Sequence, residues 1–370
     1  MKVLIVDDSV VFRTTISTAL SNIAEIEVVG TAANGRVALQ KLEQQLVPID
    51  LITLDMEMPE LNGIETLKAL RKKGSKVKVI VFSSQTTKGA EKALEALREG
   101  ADDVVAKPEG EQFDFENAAK SVRESLLPKI LQFTDSRLTL LKKIIPQETK
   151  QYFLNESLNI SNISKSTGPK QNLNLIRPQA IVIASSTGGP TALELIFSKI
   201  KGPLKIPILI TQHMPPVFTQ ILAKRIYEVS GIPCTEAQQN EIIEKNKIYI
   251  APGDYHLEII QDLDARETKR IFLHQKPLRN SVRPAADFLF ESASRVYKRD
   301  LLGIVLTGMG EDGAIGSKLI RENHGAILIQ NKESCIVFGM PGALFELNEY
   351  DDIKDLEQIT TVINNLAQGY

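Results

Sequence analysis

Two sets of side chains in this 370-residue chain have the types and spacings that do chemistry. The first lies near the N-terminus: Asp7 and Asp8 in VDDS, Asp55 in LDMEMPELNG, Ser83 in FSS and Lys107 in AKP. Each follows a short apolar, β-branched run, so three carboxylates, a hydroxyl and an ammonium fall at strand ends. A polar residue at one strand end is ordinary; five in this order argue for a site. Like charges about 4 Å apart repel by about 4 kcal/mol at an effective dielectric near 20, so the cluster needs a cation besides Lys107. An all-oxygen set with open positions suits Mg²⁺, which keeps waters and accepts a phosphate oxygen. Asp7 and Asp8, being adjacent, are better placed as ligands, and Asp55 and Glu57 complete the predicted metal set. Asp55 is the predicted acceptor of a phosphoryl group, as an aspartyl phosphate.

The second set is Ser186, His213 and Asp312. Residues 181–190, IVIASSTGGP, are written as a strand, a turn of small residues and a helix opened by Pro190. Such a turn lifts Ser186 out at the strand's carboxyl end, among the N–H groups of the helix start. Taken alone, the pattern describes plain packing or a phosphate cradle equally well. His213 in ILITQHMPP and Asp312 in IVLTGMGEDG stand at two further strand ends, and they change that balance. An aliphatic hydroxyl is a poor nucleophile until an imidazole takes its proton and a carboxylate fixes the ring's tautomer. The other histidines, His256, His274 and His324, suit turn, edge, surface or capping roles better. Glu311 neighbours Asp312, but only one of two adjacent side chains can face a given point. The Gly-rich TGMGEDG loop lets backbone approach, and its N–H groups, with that of Thr187, are the predicted oxyanion donors.

The elements that must position these groups alternate regularly. Residues 1–125 give five strands and five helices in turn, an open parallel sheet wound on both faces of flavodoxin-like type, with ligands at the carboxyl ends of its strands. Over residues 126–178 the alternation lapses into amphipathic pieces and then NESLNISNISKSTGPK, which reads as a tether. Residues 179–370 read as a second doubly wound α/β domain, with strands near 180–184, 207–212, 301–306 and 325–329. Shorter strand-like pieces lie near 235, 247–251, 256–260 and 270–274. With 44 Lys and Arg against 46 Asp and Glu and no basic run, nucleic acid and anionic membrane are not favoured partners. The N-terminus lacks the apolar length of a signal peptide, and no run nears the roughly 20 residues needed to span a bilayer. Cys234 and Cys335 lie far apart without metal-ligand spacing. A cytoplasmic protein with no direct membrane insertion is the expectation. A DNA-binding output domain finds no helix-turn-helix or clustered Lys/Arg face, and a nucleotide-binding one finds no G-x-G-x-x-G or Walker lysine.

Residues 1–122, with DD, LDMEMPxLNG, SS and KP in place, resemble a response-regulator receiver domain. The resemblance implies phosphorylation of Asp55 by a partner histidine kinase, with Ser83 and Lys107 reporting the new charge. The segments ASSTGGP, TQHMPP, YIAPGDYHL, SVRPAAD, LTGMGEDG and FGMPGAL, from 180 to about 345, resemble the catalytic domain of the chemotaxis protein-glutamate methylesterase family, CheB. That implies hydrolysis of γ-glutamyl methyl esters on the cytoplasmic helices of chemoreceptors, the methyl-accepting chemotaxis proteins, with release of methanol. It also implies deamidation of receptor glutamines by some members, no cofactor for the esterase step, and Met309 in the oxyanion loop. Phosphorylation of Asp55 is implied to relieve a blocked active site. One departure stands out: Ala184-Ser185 replaces the family's usual Gly-Ala ahead of the nucleophile. The chain order Ser, His, Asp also differs from the Ser, Asp, His of α/β-hydrolases, which argues against a lipase-type fold.

Overall fold

The computed structural model describes residues 1–44, 48–108, 115–134, 170–173, 176–200, 202–262 and 268–368. The chain divides into two compact units, Met1–Gln147 and Glu148–Tyr370. Most of the stretch read as a tether lies outside the described residues.

The first unit runs β1 (Lys2–Val6), α1 (Val10–Leu20), β2 (Glu27–Ala32), α2 (Gly35–Gln44), β3 (Leu51–Asp55), α3 (Gly63–Lys72), β4 (Lys78–Ser83), α4 (Thr87–Arg98), β5 (Asp103–Ala106) and α5 (Phe115–Leu131). Its strands are all parallel, in the order β2-β1-β3-β4-β5. Every residue of β3 is buried, which is why it reads as a continuous apolar run ending in one carboxylate. The chain leaves β1 towards β2 and returns to the other side at β3, so a crevice opens between the carboxyl ends of β1 and β3. Ser9 caps α1 by accepting the Phe12 N–H at 3.2 Å, and Asn62 with Glu65 forms a capping box on α3. The expected domain boundary at 125 falls inside α5. Leu126, Leu127, Ile130 and Leu131 are buried in the first unit's core, so the helix continues until that apolar stripe ends.

The second unit runs β6 (Ala180–Ser185), α6 (Gly189–Ser198), β7 (Ile208–Gln212), α7 (Phe218–Ser230), β8 (Cys234–Glu236), β9 (Ile248–Ile250), β10 (His256–Gln261), β11 (Lys269–His274), α8 (Ala286–Tyr297), β12 (Leu301–Val305), α9 (Ala314–Glu322), β13 (Ala326–Gln330), α10 (Met340–Leu347), β14 (Asp352–Lys354) and α11 (Leu356–Gln368). Seven strands form a parallel sheet in the order β14-β13-β12-β6-β7-β9-β8. Here the order of connection reverses between β6 and β12, and the neighbouring strand β7 borders the same crevice. Val182 and Ala184 of β6 join a core with Leu289, Phe290 and Ala293 of α8, where each large side chain contributes about 1.5–3 kcal/mol by leaving water. Ile181 and Ile183 point to the other face and are also buried, so both faces are covered. The pieces at 256–260 and 270–274 are strands, but they form a separate antiparallel hairpin, β10-β11, outside the main sheet. The short β14 has no apolar pattern to announce it. The second unit also begins before 179: Leu173 is buried, and Gln171 N–H donates to Asp351 Oδ1 at 2.9 Å.

Candidate active site

The turn after β6 follows from parallel registers. Ala184 of β6 lies beside Val305 of β12, and Ser185 lies beside Gln212 of β7, so the three strands end together. The link continues past the strands, with His213 N–H donating to Ser185 O at 3.1 Å and Ser186 N–H donating to Thr307 O at 3.1 Å. Gly188 turns the chain into α6 with φ 78°, a left-handed conformation that favours glycine, and a Cβ there would lie 2.7 Å from Ile336 Cγ1. Gly308 brings the loop after β12 so near that a Cβ on it would lie 2.8 Å from Ser186 Cβ. Between residues 180 and 190 every residue is buried except Ser186, which is half-buried. The turn therefore presents one side chain.

His213 Nε2 lies 2.7 Å from Asp312 Oδ2. Asp312 is 2% exposed, yet its carboxylate is well satisfied. Oδ2 also accepts the Ala286 N–H, while Oδ1 accepts the Asp287 N–H at 3.2 Å and Asn280 Nδ2 at 2.7 Å. Ala286 and Asp287 supply the first N–H groups of α8, so the carboxylate sits on a helix N-terminus, where the dipole favours negative charge. Burial by itself raises this carboxyl's pKa. The His213 hydrogen bond and charge, with the Ala286 and Asn280 donors, outweigh burial and hold it below the usual value. Beside it, Asp287 accepts from Asn280 Nδ2 at 2.9 Å and from Gly316 N–H at 2.8 Å, with Arg279 Nε at 3.5 Å. Burial and the Asp312 charge push the Asp287 carboxyl upward. An ionised Asp312 only accepts, so His213 Nε2 carries the proton and Nδ1 keeps the lone pair a general base needs.

Ser186 and His213 thus stand at neighbouring strand ends on one sheet edge, and Asp312 reaches the same edge from the loop after β12. Thr187 is buried just before α6, its carbonyl accepting from Thr307 Oγ1 at 3.0 Å, and Met309 is half-buried on the loop between Gly308 and Gly310. His256 departs from expectation, being fully buried rather than at an edge: Nδ1 accepts the Ala285 N–H and Nε2 donates to Pro277 O. Burial lowers its pKa to about 4, which keeps the ring neutral. Ala184 is tolerated in the strand, and Ser185 is buried with its hydroxyl donating to Gln212 Oε1 at 2.7 Å. Asn280, Asp287 and the helix start at Ala286 went unrecognised as partners of Asp312, although RPAAD signals a helix beginning there.

In the first unit, Asp7, Asp8 and Asp55 each place a carboxylate oxygen within 4.8 Å of the others, with Asp7 and Asp55 buried and Asp8 exposed. Lys107 Nζ bridges Asp7 at 2.9 Å and Asp55 at 2.8 Å. Burial is the largest influence on both aspartates and outweighs the lysine, raising Asp7 and pushing Asp55 up to about 6. This set fits a hard divalent cation such as Mg²⁺, because the cation supplies the positive charge that one lysine leaves short. Two expected members sit differently. The exposed Glu57 carboxylate pairs with Lys92 Nζ of α4 at 2.6 Å and lies outside the aspartate group, since the neighbouring ammonium offers a partner already in solvent. Ser83 is buried and donates to Gly89 O at 2.7 Å.

Comparison with known proteins agrees with this division. The profile of the CheB methylesterase family matches residues 181–363, and that of the response regulator receiver domain matches residues 3–115. A protein-glutamate methylesterase/protein-glutamine glutaminase of Trichodesmium erythraeum (strain IMS101) is 38% identical over 364 residues, covering 98% of this chain and 97% of its own. A protein of the same name from Nocardioides sp. is 40% identical over 352 residues, covering 93% and 89%. Among solved structures, the Thermotoga maritima CheB methylesterase catalytic domain is 35% identical, with a TM-score of 0.49, covering 52% of this chain and 100% of its own. The response regulator domain of Thermotoga maritima CheB is 41% identical, with a TM-score of 0.31, covering 36% and 94%.

Proposed function

The chain belongs to the CheB methylesterase family, with a receiver domain ahead of the catalytic one, and on that premise we propose a phosphorylation-gated serine esterase acting on glutamate γ-methyl esters of chemoreceptors. The observation that carries the reading is a half-buried serine on a closed turn, beside the strand end that carries an imidazole whose Nε2 is held by a buried carboxylate.

The steps follow from that geometry. His213 Nδ1 takes the Ser186 proton as Oγ attacks the ester carbonyl, and Asp312 stabilises the imidazolium that forms. The oxyanion is held by N–H groups of Thr187 and of the loop carrying Met309, each such donor being worth on the order of 3 kcal/mol. When the tetrahedral species collapses, its C–O bond to methoxide breaks and His213 returns the proton, so methanol leaves. Water, deprotonated by Nδ1, then attacks the acyl-enzyme; the bond to Ser186 Oγ breaks, the serine regains its proton, and a glutamate carboxylate is released. A glutamine side chain enters the same sequence with ammonia as leaving group, which supports a glutaminase activity as well.

The receiver supplies the gate. Asp55 takes the phosphoryl group from a histidine kinase, and phosphorylation raises esterase activity; Asp7, Asp8 and Asp55 would hold Mg²⁺, which would supply positive charge at that edge. Methanol release from methylated receptor fragments, measured with and without a small phosphodonor and Mg²⁺, tests chemistry and gate together. An unphosphorylated chain as active as the phosphorylated one would remove the gate, and a Ser186→Ala protein with full activity would remove the esterase.

A further inference from the structure

Gln212 is neither nucleophile, base nor acid, yet its side chain reaches the backbone of two of them. We propose that Ser185 and Gln212 form a positioning brace for the esterase, a hydrogen-bonded pair that fixes the Ser186 and His213 backbones relative to one another. The inference rests on the esterase reading above.

Gln212 is 1% exposed, and its side-chain amide makes three hydrogen bonds at the two strand ends. Oε1 accepts from Ser185 Oγ at 2.7 Å, while Nε2 donates to Ser186 O at 2.9 Å and to His213 O at 3.3 Å. The partners dictate how the amide sits. Two carbonyls only accept, so the NH₂ group must face them, and Oε1 is left for the partner with a proton to give, Ser185. An alanine at 185 has no such proton, so the two carbonyls alone would orient the amide and the buried Oε1 would lose the donor that holds it. Gly189 supplies the room, since a Cβ at that position would collide with Gln212 Oε1.

The brace acts where position matters to the reaction. Ser186 O also accepts the Gly189 N–H at 2.8 Å, the bond that closes the nucleophile turn. Ser186 and His213 leave separate strands, β6 and β7, joined directly at this edge by the His213 N–H to Ser185 O bond. Gln212 adds a second tie, one residue further along the chain leaving β6 and at the carbonyl of the same His213 on the other side. A misplacement of about 1 Å can cost about a hundredfold in rate, so a tie at this point bears on turnover more than on binding. Ser185 and Gln212 touch no reacting atom and are positioning residues.

The test uses the full chain and three variants: Gln212→Met, similar in length but without hydrogen bonds, Ser185→Ala, and the double. Methanol release gives kcat and KM, and the rate of Ser186 labelling by a fluorophosphonate is followed against pH. The expected loss in kcat is about 30- to 100-fold for Gln212→Met and about 3- to 10-fold for Ser185→Ala, with KM within about twofold and the labelling pH midpoint unmoved. The double variant should lose no more than Gln212→Met alone, because Ser185 acts through the amide. Gln212→Met that keeps more than half of kcat, or losses that multiply in the double, would overturn the brace. If Gln212→Met does not melt cooperatively, Ser185→Ala decides: an unchanged kcat and labelling rate overturn the proposal. A wild-type chain that labels at Ser186 but releases no methanol defeats the esterase reading, and the labelling rates of the variants still judge the brace.

Discussion

Replacing Asp312 by asparagine isolates what the buried carboxylate does for His213. All four groups around it are donors: His213 Nε2, the Ala286 and Asp287 N–H groups, and Asn280 Nδ2. An asparagine must turn its NH₂ group towards two of them, and the cheapest relief is for His213 to move its proton from Nε2 to Nδ1. That removes the lone pair offered to Ser186. The variant also loses the charge that faces the imidazolium at 2.7 Å, an attraction of about 6 kcal/mol at an effective dielectric of 20, taken as a ceiling. At about 1.4 kcal/mol per decade, a loss of about 10⁴ in kcat follows. Folding should suffer less, because each mispaired donor costs about 1–3 kcal/mol while the repulsion between Asp312 and Asp287 is relieved. The assay is methanol release with KM determined separately, beside a thermal melt. A folded Asp312→Asn protein retaining more than about a hundredth of kcat would refute the claim that this carboxylate fixes the tautomer.

Ser186→Ala should abolish methanol release and phosphonate labelling, whereas Ser185→Ala should keep both measurable; the reverse pattern would move the nucleophile by one residue. Gly188→Ala forces a side chain into φ 78° and against Ile336, and should lower the second unit's melting stability by about 1–3 kcal/mol and cut kcat. In the receiver, Asp55 is raised from 3.8 to about 6, so the folded state holds its proton more tightly than the unfolded one. That contribution, up to about 3 kcal/mol, is fully present below the unfolded value and is lost as pH rises through about 6. Mg²⁺ should therefore raise the receiver's melting temperature more at pH 7.5 than at pH 5, and a larger shift at pH 5 would contradict the assignment. His256, lowered to about 4, works in the opposite sense: its contribution is present above its unfolded value of 6.5 and is lost as pH falls towards 4. His256→Gln should flatten that acid limb in a pH series of melts.

Much of this was legible because chemistry-bearing residues sit at strand ends, and buried parallel strands announce themselves as short apolar runs. IVIASS and ILITQH end in Ser186 and His213, and LLGIVL runs into the TGMGEDG loop that carries Asp312, so the three could be proposed together without coordinates. The same held for Asp7, Asp55 and Lys107. What stayed hidden depends on contacts between distant segments. Asn280 comes from a stretch without periodicity, and nothing in its neighbours foretells that its amide bridges Asp312 and Asp287. Gln212 read as the last residue of a strand, and its role emerged only from the register that sets it beside Ser185. Glu57 stands in the expected metal set, but the sequence gives no sign that its carboxylate pairs with Lys92, far along the chain. The pieces that form β10 and β11 read as strands but their pairing into a separate hairpin does not, because alternation reveals a half-buried strand without naming its partner.

The central position of β6 has a consequence for how the chain is made. One of its two neighbours, β12, pairs through Leu301↔Ala180 to Val305↔Ala184 and emerges from the ribosome long after β6 itself. Until then one side of a strand that is buried throughout in the finished fold is an unpaired edge, the kind of surface on which nascent chains join one another. The loop bearing Asp312 arrives with the same strand. A newly synthesised chain therefore carries its serine and histidine without their carboxylate, and hydrolytic competence appears only when the edge is closed. Truncation products that end before residue 301 are expected to be both sticky and catalytically silent.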